Sequence, residues 1–124
     1  MRFPAVRARL AHLLNAGDVA TCGIVELEVL WSARNADEIR STRSQRKAFP
    51  LVSMEQSDFD RAADVLEELA ARGKHRSVGL PDLLIAAAAE RARLTLVHYD
   101  SDFETVAAMT GQPTEWVVPR GSVP

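Results

Sequence analysis

The segment from residue 80 to residue 98 constrains the fold more than any other part of the chain. It opens with Leu80-Pro81-Asp82, continues as an apolar run rich in alanine, and ends in a hydrophobic stretch at 94–98. Pro81 occupies a favourable first-turn position, so the pattern predicts a helix over residues 82–93 followed by a strand. Because this helix is apolar nearly all round, we expect it to be almost entirely buried.

The rest of the chain alternates between helical and strand patterns. Helices are predicted at residues 5–15, 23–34, 37–47, 57–72 and 102–110, and strands at 19–22 and 115–118. Residues 48–53 form either a connector or a short strand, and Asp37 is expected to cap the helix that it opens. In the helix at 57–72, which Gly73 stops, the inward positions are predicted to be Phe59, Ala62, Ala63, Leu66, Leu69 and Ala70. This alternation of short elements indicates the α/β class and predicts a sandwich.

Length, charge and cysteine content limit the classes of protein to which the chain can belong. With 124 residues it is expected to form one domain, residues 1–124, around a single core. The 15 Lys and Arg against 17 Asp and Glu give a formal charge of -2, so any contact with nucleic acid needs a local basic patch. Cys22 is the only cysteine, which excludes an internal disulfide framework and fits a cytoplasmic protein. No run reaches the roughly 20 apolar residues of a membrane helix, and the first residues do not form a signal-peptide core.

Glu28 is the first candidate functional residue. It lies in line with Ile24, Leu27 and Trp31, an apolar stripe at helical spacing, so its carboxylate is expected to be partly desolvated. A desolvated carboxylate needs a cation or a donor. The alternative is that Glu28 sits at the edge of the stripe or pairs with an arginine. Glu26 lies off the stripe and is expected to be a solvated surface residue.

Asp82 is the second candidate. A first-turn Asp gains about 0.3–1 kcal/mol from the helix dipole, so capping alone can explain its position. The topology favours a site, because the start of this helix can lie near the carboxyl end of the strand at 94–98. Open α/β sheets place their ligand sites at that edge.

Asp100 and Asp102 directly follow the same strand. Two carboxylates this close repel each other unless a cation lies between them or one of them caps the next helix. Capping by Asp102 or Ser101 is the structural alternative, and Asp100 is the better ligand candidate. Several oxygen ligands that converge from separate elements are what a bound Mg²⁺ requires, and they can support phosphodiester hydrolysis.

Basic and aromatic residues supply candidate contacts to nucleic acid. Arg72, Lys74, His75 and Arg76 precede Asp82 at a predicted loop and are the preferred phosphate contact, with Lys74, His75 and Arg76 the predicted RNA-binding residues. The basic residues between Arg34 and Lys47 are better explained as a solvated helix face. His98 is expected to be structural, as are His12 and Cys22, and Trp116 either packs in the core or stacks on a base, with the core favoured.

Three blocks of the sequence, in register, resemble the PIN-domain ribonucleases, specifically the VapC toxins of bacterial toxin–antitoxin pairs. Residues 22–30, CGIVELEVL, look like the segment that carries the family's helical Glu, and residues 80–87, LPDLLIAA, are similar to its Asp-bearing helix start. Residues 98–103, HYDSDF, resemble its D-x-D-F block. Residues 115–119, EWVVP, look like the ending of a mycobacterial subgroup. The likeness runs from about Pro4 to the end of the chain.

The resemblance implies a PIN-like three-layer α/β/α sandwich with a short, mostly parallel central sheet. It also implies metal-dependent cleavage of RNA by a cytoplasmic toxin, usually a homodimer and without a membrane partner, that a VapB-type antitoxin neutralises. By this likeness Glu28, Asp82 and Asp100 match the carboxylates that hold Mg²⁺ or Mn²⁺, and Asp102 is a supporting ligand.

The chain departs from the family pattern at its start. The family begins with a strand that ends in Asp and supplies the first metal ligand, whereas Met1 to Ala5 contains no carboxylate. We therefore expect the chain to be N-terminally shortened relative to the family. Two hypotheses follow: a Mg²⁺-dependent endoribonuclease toxin, or an inert PIN remnant that only binds an antitoxin or partner subunit through the helices at 37–47 and 57–72.

Overall fold

The computed structural model describes residues 19–121. In that range the chain forms five helices and four short strands. In chain order these are β1 Thr21–Cys22, α1 Gly23–Trp31, α2 Ala36–Arg46, β2 Leu51–Val52, α3 Gln56–Ala71, α4 Leu80–Arg91, β3 Leu96–His98, α5 Ser101–Thr110 and β4 Thr114–Trp116. The helix predicted at residues 5–15, together with His12, lies outside the described residues.

The strands pair in parallel, as expected for strands joined by helices. β1 pairs with β2, with Thr21 opposite Leu51, and β3 pairs with β4, with His98 opposite Trp116. Backbone hydrogen bonds extend both pairs: the Thr21 amide donates to Pro50 (2.9 Å) and the Val117 amide donates to His98 (2.7 Å). The α/β class and the short parallel strands predicted from the sequence are confirmed, and residues 48–53 do contain a short strand.

The core lies where α3, α4 and α5 pack together. Its buried apolar residues are Ala62, Val65, Leu69, Val78, Leu83, Ala86 and Val106. The alanines of α4 leave room for α3 and α5 to approach closely, so the middle of α4 is buried as predicted, although Leu80 at its start is exposed. The helix begins at Leu80 and ends at Arg91, because Arg93 takes a positive φ of 58° and the Leu94 amide turns back to Ala89 (3.0 Å).

The inward face of α3 is rotated relative to the predicted stripe. Its buried positions are Asp58, Ala62, Val65 and Leu69, whereas Phe59 is 48% exposed and both Ala63 and Ala70 are exposed. Of the predicted inward positions, Ala62 and Leu69 are buried and Leu66 packs against the core. The prediction did not include Asp58, which is buried because Arg91 of α4 binds its carboxylate (Nε to Oδ1, 2.8 Å). Gly73 ends this region with a φ of +69°, as the sequence predicted.

The apolar stripe of α1 is not buried in the described structure. Leu27 is 69% exposed and Trp31 is 90% exposed, and the helix ends at Trp31 rather than at residue 34. The assignment of Glu26 to the solvated surface is wrong. Its carboxylate accepts hydrogen bonds from Arg46 (2.6 and 2.8 Å) and Thr21 (2.7 Å), and the bond from Arg46 is the main reason that the pKa of Glu26 is lowered.

Two helix caps also differ from prediction. Asn35, rather than Asp37, caps α2, because its side chain accepts a hydrogen bond from the Glu38 amide (2.8 Å). Asp100, rather than Ser101 or Asp102, caps α5. No helix within residues 19–121 is both long enough and apolar enough to cross a lipid bilayer.

Candidate metal centre

Three aspartates meet where α4 begins and where β3 passes into α5. Asp82 is the third residue of α4, Asp100 directly precedes α5, and Asp102 lies in its first turn. One carboxylate oxygen from each of the three lies within 4.8 Å of those of the others. Three of the four acidic residues singled out in the sequence are therefore neighbours in space.

Asp100 caps α5 and also belongs to the acidic cluster. Its backbone is extended (φ -145°, ψ 123°), and its Oδ1 accepts a hydrogen bond from the Asp102 amide at 2.9 Å. This cap holds the Asp100 carboxylate at the start of α5 and keeps it beside Asp102. The capping and cluster roles, treated as alternatives in the sequence, thus coexist in one residue.

His98 anchors the backbone of Asp100 from below the site. The His98 ring is buried, and its Nδ1 accepts a hydrogen bond from the Asp100 amide (3.1 Å). Because an amide can only donate, the ring proton of neutral His98 resides on Nε2, which then donates to Glu104 Oε1 (2.8 Å). Thr114 of β4 also donates to that oxygen (2.8 Å), and these two bonds lower the pKa of Glu104.

Glu104 was missed among the candidate residues of the sequence. The available signal was its spacing, because a residue four positions after Asp100 lies on the same side of the first helical turn. The histidine was correctly expected to be structural. Its ring packs against Phe103 (centroids 5.4 Å apart) and Trp116 (4.8 Å), which fixes its orientation in the core.

Glu28 approaches the aspartates without joining their close group. It is exposed on α1, and α1 packs against α4. Its negative charge is near enough to contribute to the raised pKa of Asp82. The structure therefore brings Glu28 to the margin of the cluster rather than into contact with the three aspartates.

The electrostatics of the cluster oppose full ionisation. Burial is the largest cause that raises the pKa of Asp82, to about 6, and the charges of Asp100, Glu28 and Asp102 add to it. Burial and the charge of Asp100 also raise the pKa of Asp102. Within residues 19–121, no Lys, Arg or His forms an ion pair with any of the three aspartates. The described part of the chain thus provides no ion pair that compensates this negative charge.

This donor set fits a hard divalent cation. All the available ligands are carboxylate oxygens, which Mg²⁺, Mn²⁺ and Ca²⁺ prefer, whereas zinc and copper sites draw on His and Cys. The only His beside the cluster, among the described residues, is His98, and both of its ring nitrogens are already engaged.

The predicted basic loop lies between α3 and α4, with Lys74, His75 and Arg76 all exposed. Lys74 shares a groove with Ser101, the residue between the two aspartates of the cluster. His75 and Arg76 do not line that groove. Arg72 also lines the groove, so two of the four predicted phosphate contacts share a groove with Ser101.

Comparisons with known proteins identify the family. The PIN domain model matches residues 3–109. Ribonuclease VapC21 and Ribonuclease VapC51 of Mycobacterium tuberculosis are each 45% identical to this chain over 97% of its length, which covers 88% and 87% of those proteins. Ribonuclease VapC18 of the same organism is 41% identical over 97% of the chain and 89% of its own length.

A solved structure supports the same assignment. The crystal structure of VapBC-5 from Mycobacterium tuberculosis, a member of the VapBC family of toxin–antitoxin systems, superposes with a TM-score of 0.58 at 25% identity. The match covers 79% of each chain. The resemblance seen in the three sequence blocks is confirmed, and the chain belongs to the PIN-domain family, within the group of VapC proteins.

Proposed function

We propose that this chain is the toxin of a type II toxin–antitoxin system and acts as a metal-dependent endoribonuclease. The observation that carries the proposal is the group of Asp82, Asp100 and Asp102, which can each bring a carboxylate oxygen within 4.8 Å of the others. Within residues 19–121, none of the three forms an ion pair. The relatives with 41–45% identity are named ribonucleases, which supports RNA as the substrate.

The acidic residues and His98 have different roles in this proposal. Asp82, Asp100 and Asp102 hold Mg²⁺ or Mn²⁺, and Glu28 completes the negative field from α1. A divalent cation in such a site stabilises negative charge on phosphate oxygens and makes water a better nucleophile at neutral pH. Asp82, with a pKa of about 6, must lose its proton before it can serve as a ligand. His98 and Glu104 are positioning residues, because they hold the backbone that carries Asp100.

The partners follow from the same assignment. We infer that a VapB-type antitoxin binds this chain, since the solved relative belongs to the VapBC family of toxin–antitoxin systems. The exposed apolar side chains of Leu27, Trp31 and Leu51 support a protein partner, because large apolar groups gain free energy when another chain covers them. A homodimer, a cytoplasmic location and RNA contacts through Lys74, His75 and Arg76 remain predictions.

The inert alternative has no support in the comparisons. The chain spans 87–89% of the length of the ribonuclease relatives with 41–45% identity. The helices at 37–47 and 57–72, on which that alternative relied, also offer little free apolar surface. α2 has no buried residue and is strongly polar, and the apolar face of α3 is occupied by the core.

The test is cleavage of a structured RNA pool by the purified chain in the presence of Mn²⁺. We expect the wild type to cut, Asp82→Asn to lose at least about 100-fold in rate, and Asp64→Asn to cut as the wild type does. Asp64 is an exposed carboxylate on α3, so its variant controls for the same change of charge. Products with 5′-phosphate and 3′-hydroxyl ends are expected if water attacks the phosphorus and the 3′-oxygen leaves.

Cleavage that persists in Asp82→Asn at the wild-type rate would contradict the proposal. So would cleavage that is unaffected by EDTA, because the proposal requires a bound divalent cation. Products that end in 2′,3′-cyclic phosphate would point instead to attack by the RNA 2′-hydroxyl.

A further inference from the structure

A groove of about 390 Å³ opens beside the acidic cluster. Its lining includes Arg72, which follows α3, and Lys74. It also includes Arg120, which follows β4, and Ser101 and Thr105 of α5. The cations come from two segments far apart in the sequence, so their convergence was not visible before the fold was known.

The groove carries surplus positive charge. Its lining contains three cationic side chains and one carboxylate, that of Glu104. Glu104 is already bound by His98 and Thr114, and Arg120 is close enough to help lower its pKa. Within residues 19–121, neither Arg72 nor Lys74 forms an ion pair with an acidic side chain. Two of the three cations therefore retain their full capacity to bind an anion.

Arg120 is held in place by an aromatic support. Its guanidinium carbon lies 5.6 Å from the centroid of the Trp116 ring, within the range of a cation–π contact. Trp116 is in turn packed edge-on against Tyr99, with centroids 5.4 Å apart, and against His98. A guanidinium that is held before binding loses less conformational entropy when it meets a ligand.

The position of the groove relates it to the acidic site. Ser101, at one end, stands between Asp100 and Asp102 in the chain, and Met109, at the other end, lies eight residues along α5. At 1.5 Å per residue this distance is about 12 Å. A polyanion whose reacting phosphate lies at the aspartates would therefore extend its neighbouring phosphates along the groove.

We propose that Arg72, Lys74 and Arg120 form a subsite for backbone phosphates of a single-stranded RNA, next to the bond that is cut. The subsite rests on the proposed ribonuclease function and specifies how that function holds its substrate. Contacts to phosphate oxygens fix the position of a nucleic acid without reading its sequence, so this subsite sets affinity and register rather than base preference. It keeps Arg72 and Lys74 of the phosphate contacts predicted from the sequence, leaves out His75 and Arg76, and adds Arg120.

The experiment measures binding of a short, labelled single-stranded RNA by fluorescence anisotropy, in EDTA, so that binding is separated from cleavage. The full chain is compared with Arg120→Gln, Lys74→Gln and Arg72→Gln across a series of salt concentrations. Arg93→Gln is the matched control, because it removes the same charge from an exposed residue that follows the C-terminal end of α4. A thermal melt of each variant checks that it folds.

We expect each groove variant to bind RNA about tenfold more weakly, the effect of one lost charged hydrogen bond. Each should also flatten the slope of log affinity against log salt by about 0.7, the contribution of one phosphate contact on a single strand. Arg93→Gln should bind as the wild type does. If Arg120→Gln fails to fold, Lys74→Gln and Arg72→Gln decide the question.

Three results would overturn the subsite. The folded groove variants could bind RNA with wild-type affinity, or Arg76→Gln could weaken RNA binding while the groove variants do not. The wild type could also bind oligoglutamate more tightly than RNA. The last result would assign the groove to an acidic peptide. Cleavage assayed in parallel with Mn²⁺ separates the two proposals. Cleavage by the wild type with groove-independent binding refutes the subsite alone, whereas groove-dependent binding without cleavage refutes the ribonuclease alone.

Discussion

The carboxyl group of Asp82 combines burial with three acidic neighbours. These causes raise its pKa from the ordinary 3.8 to about 6. The folded state therefore holds the Asp82 proton more tightly than the unfolded state does. By linkage, this group makes the metal-free protein less stable as pH rises from about 4 to about 6, the opposite of a carboxylate in an ion pair.

A pH series of unfolding tests this sign. Between pH 4 and pH 7, without divalent cations, the free energy of unfolding of Asp82→Asn should rise relative to that of the wild type. The difference between the two proteins isolates Asp82 from carboxylates such as Asp58, whose lowered pKa acts in the other direction. The measurement is urea denaturation at each pH. A difference that does not change with pH would show that the Asp82 carboxyl titrates normally.

His98 acts on the site through the backbone rather than through a metal. Its Nδ1 accepts a hydrogen bond from the Asp100 amide, and its Nε2 donates to Glu104 of α5, to which Thr114 of β4 also donates. The ring therefore links β4 and α5 to the aspartate that caps α5. Outer groups that orient metal ligands commonly contribute 10- to 100-fold to metal affinity. The ring thus has a predicted effect on cation binding although it lies outside the acidic cluster.

We expect His98→Leu to need about 10- to 100-fold more Mn²⁺ for half-maximal RNA cleavage. Val65→Ala, which removes buried volume from α3 away from the site, controls for a general loss of stability and should keep the wild-type Mn²⁺ requirement. A His98→Leu protein that cuts slowly but needs no additional Mn²⁺ would show a merely structural role.

For individual acidic residues, the sequence predicted which side chains are neighbours better than it predicted how buried each one is. Asp82, Asp100 and Asp102 were expected to meet because one opens a helix and the others follow a strand, and the ends of such elements share an edge. The environments of Glu26 and Glu28 were reversed. Arg46 lies 20 residues from Glu26, so periodicity could not show that it would bind that carboxylate rather than leave it to solvent. Cation binding by Glu28, Asp82, Asp100 and Asp102 stays a prediction.

The elements α3 and α4 are joined by ion pairs across their interface. Arg91 donates to both carboxylate oxygens of Asp58 (2.8 and 3.2 Å), and Arg61 binds Glu90 (2.8 Å). Asp58 is 1% exposed and also accepts a hydrogen bond from the Glu55 amide in the capping box of α3. The helix that supports Lys74 and the helix that supports Asp82 therefore depend on this buried carboxylate for their relative position.

Asp58→Ala is expected to lower the free energy of unfolding by about 3 kcal/mol, the typical cost of removing one partner of a buried ion pair. The bond from Arg91 lowers the pKa of Asp58, so the stabilisation is present above the unfolded pKa and is lost as pH falls. Urea denaturation at neutral and acid pH measures both effects.

Asp60→Ala, an exposed position on the same helix, is the control and should change stability by about 0.5 kcal/mol or less. Equal losses in the two variants would contradict a special role for the buried pair. A loss in Asp58→Ala that did not diminish at acid pH would contradict the assigned direction of the pKa.

The existence and type of the described elements were predictable, but the burial of their faces was only partly so. Periodicity located α3 within one residue at each end, yet it could not recognise a buried Asp, and the predicted inward face was rotated. The C-terminal end of α4 was predicted at residue 93 but lies at Arg91. This end depends on a positive φ at Arg93, which is uncommon for a residue other than glycine and therefore could not be predicted. Glycine-dependent ends, such as that at Gly73, were predicted correctly.

In the molecule as a whole, opposite charges are separated although the net charge is only -2. The aspartates concentrate negative charge at the start of α4 and α5, and the groove beside them concentrates Arg72, Lys74 and Arg120. The need for a local basic patch followed from the composition. Arg72 and Lys74 were among the predicted phosphate contacts, but Arg120 was not, because it reaches the groove only through the parallel pairing of β3 with β4.

The central claim is that the three aspartates hold a divalent cation, and calorimetric titration of the purified chain with Mn²⁺ tests it most directly. We predict saturable binding by the wild type and by Asp64→Asn, with binding lost in Asp82→Asn. At a free Mn²⁺ concentration of about 100 times the dissociation constant, the bound ion should add about 2.7 kcal/mol to the stability of the wild type and of Asp64→Asn, but not to that of Asp82→Asn. Equal Mn²⁺ binding by the wild type and Asp82→Asn, or none by either, would contradict the account.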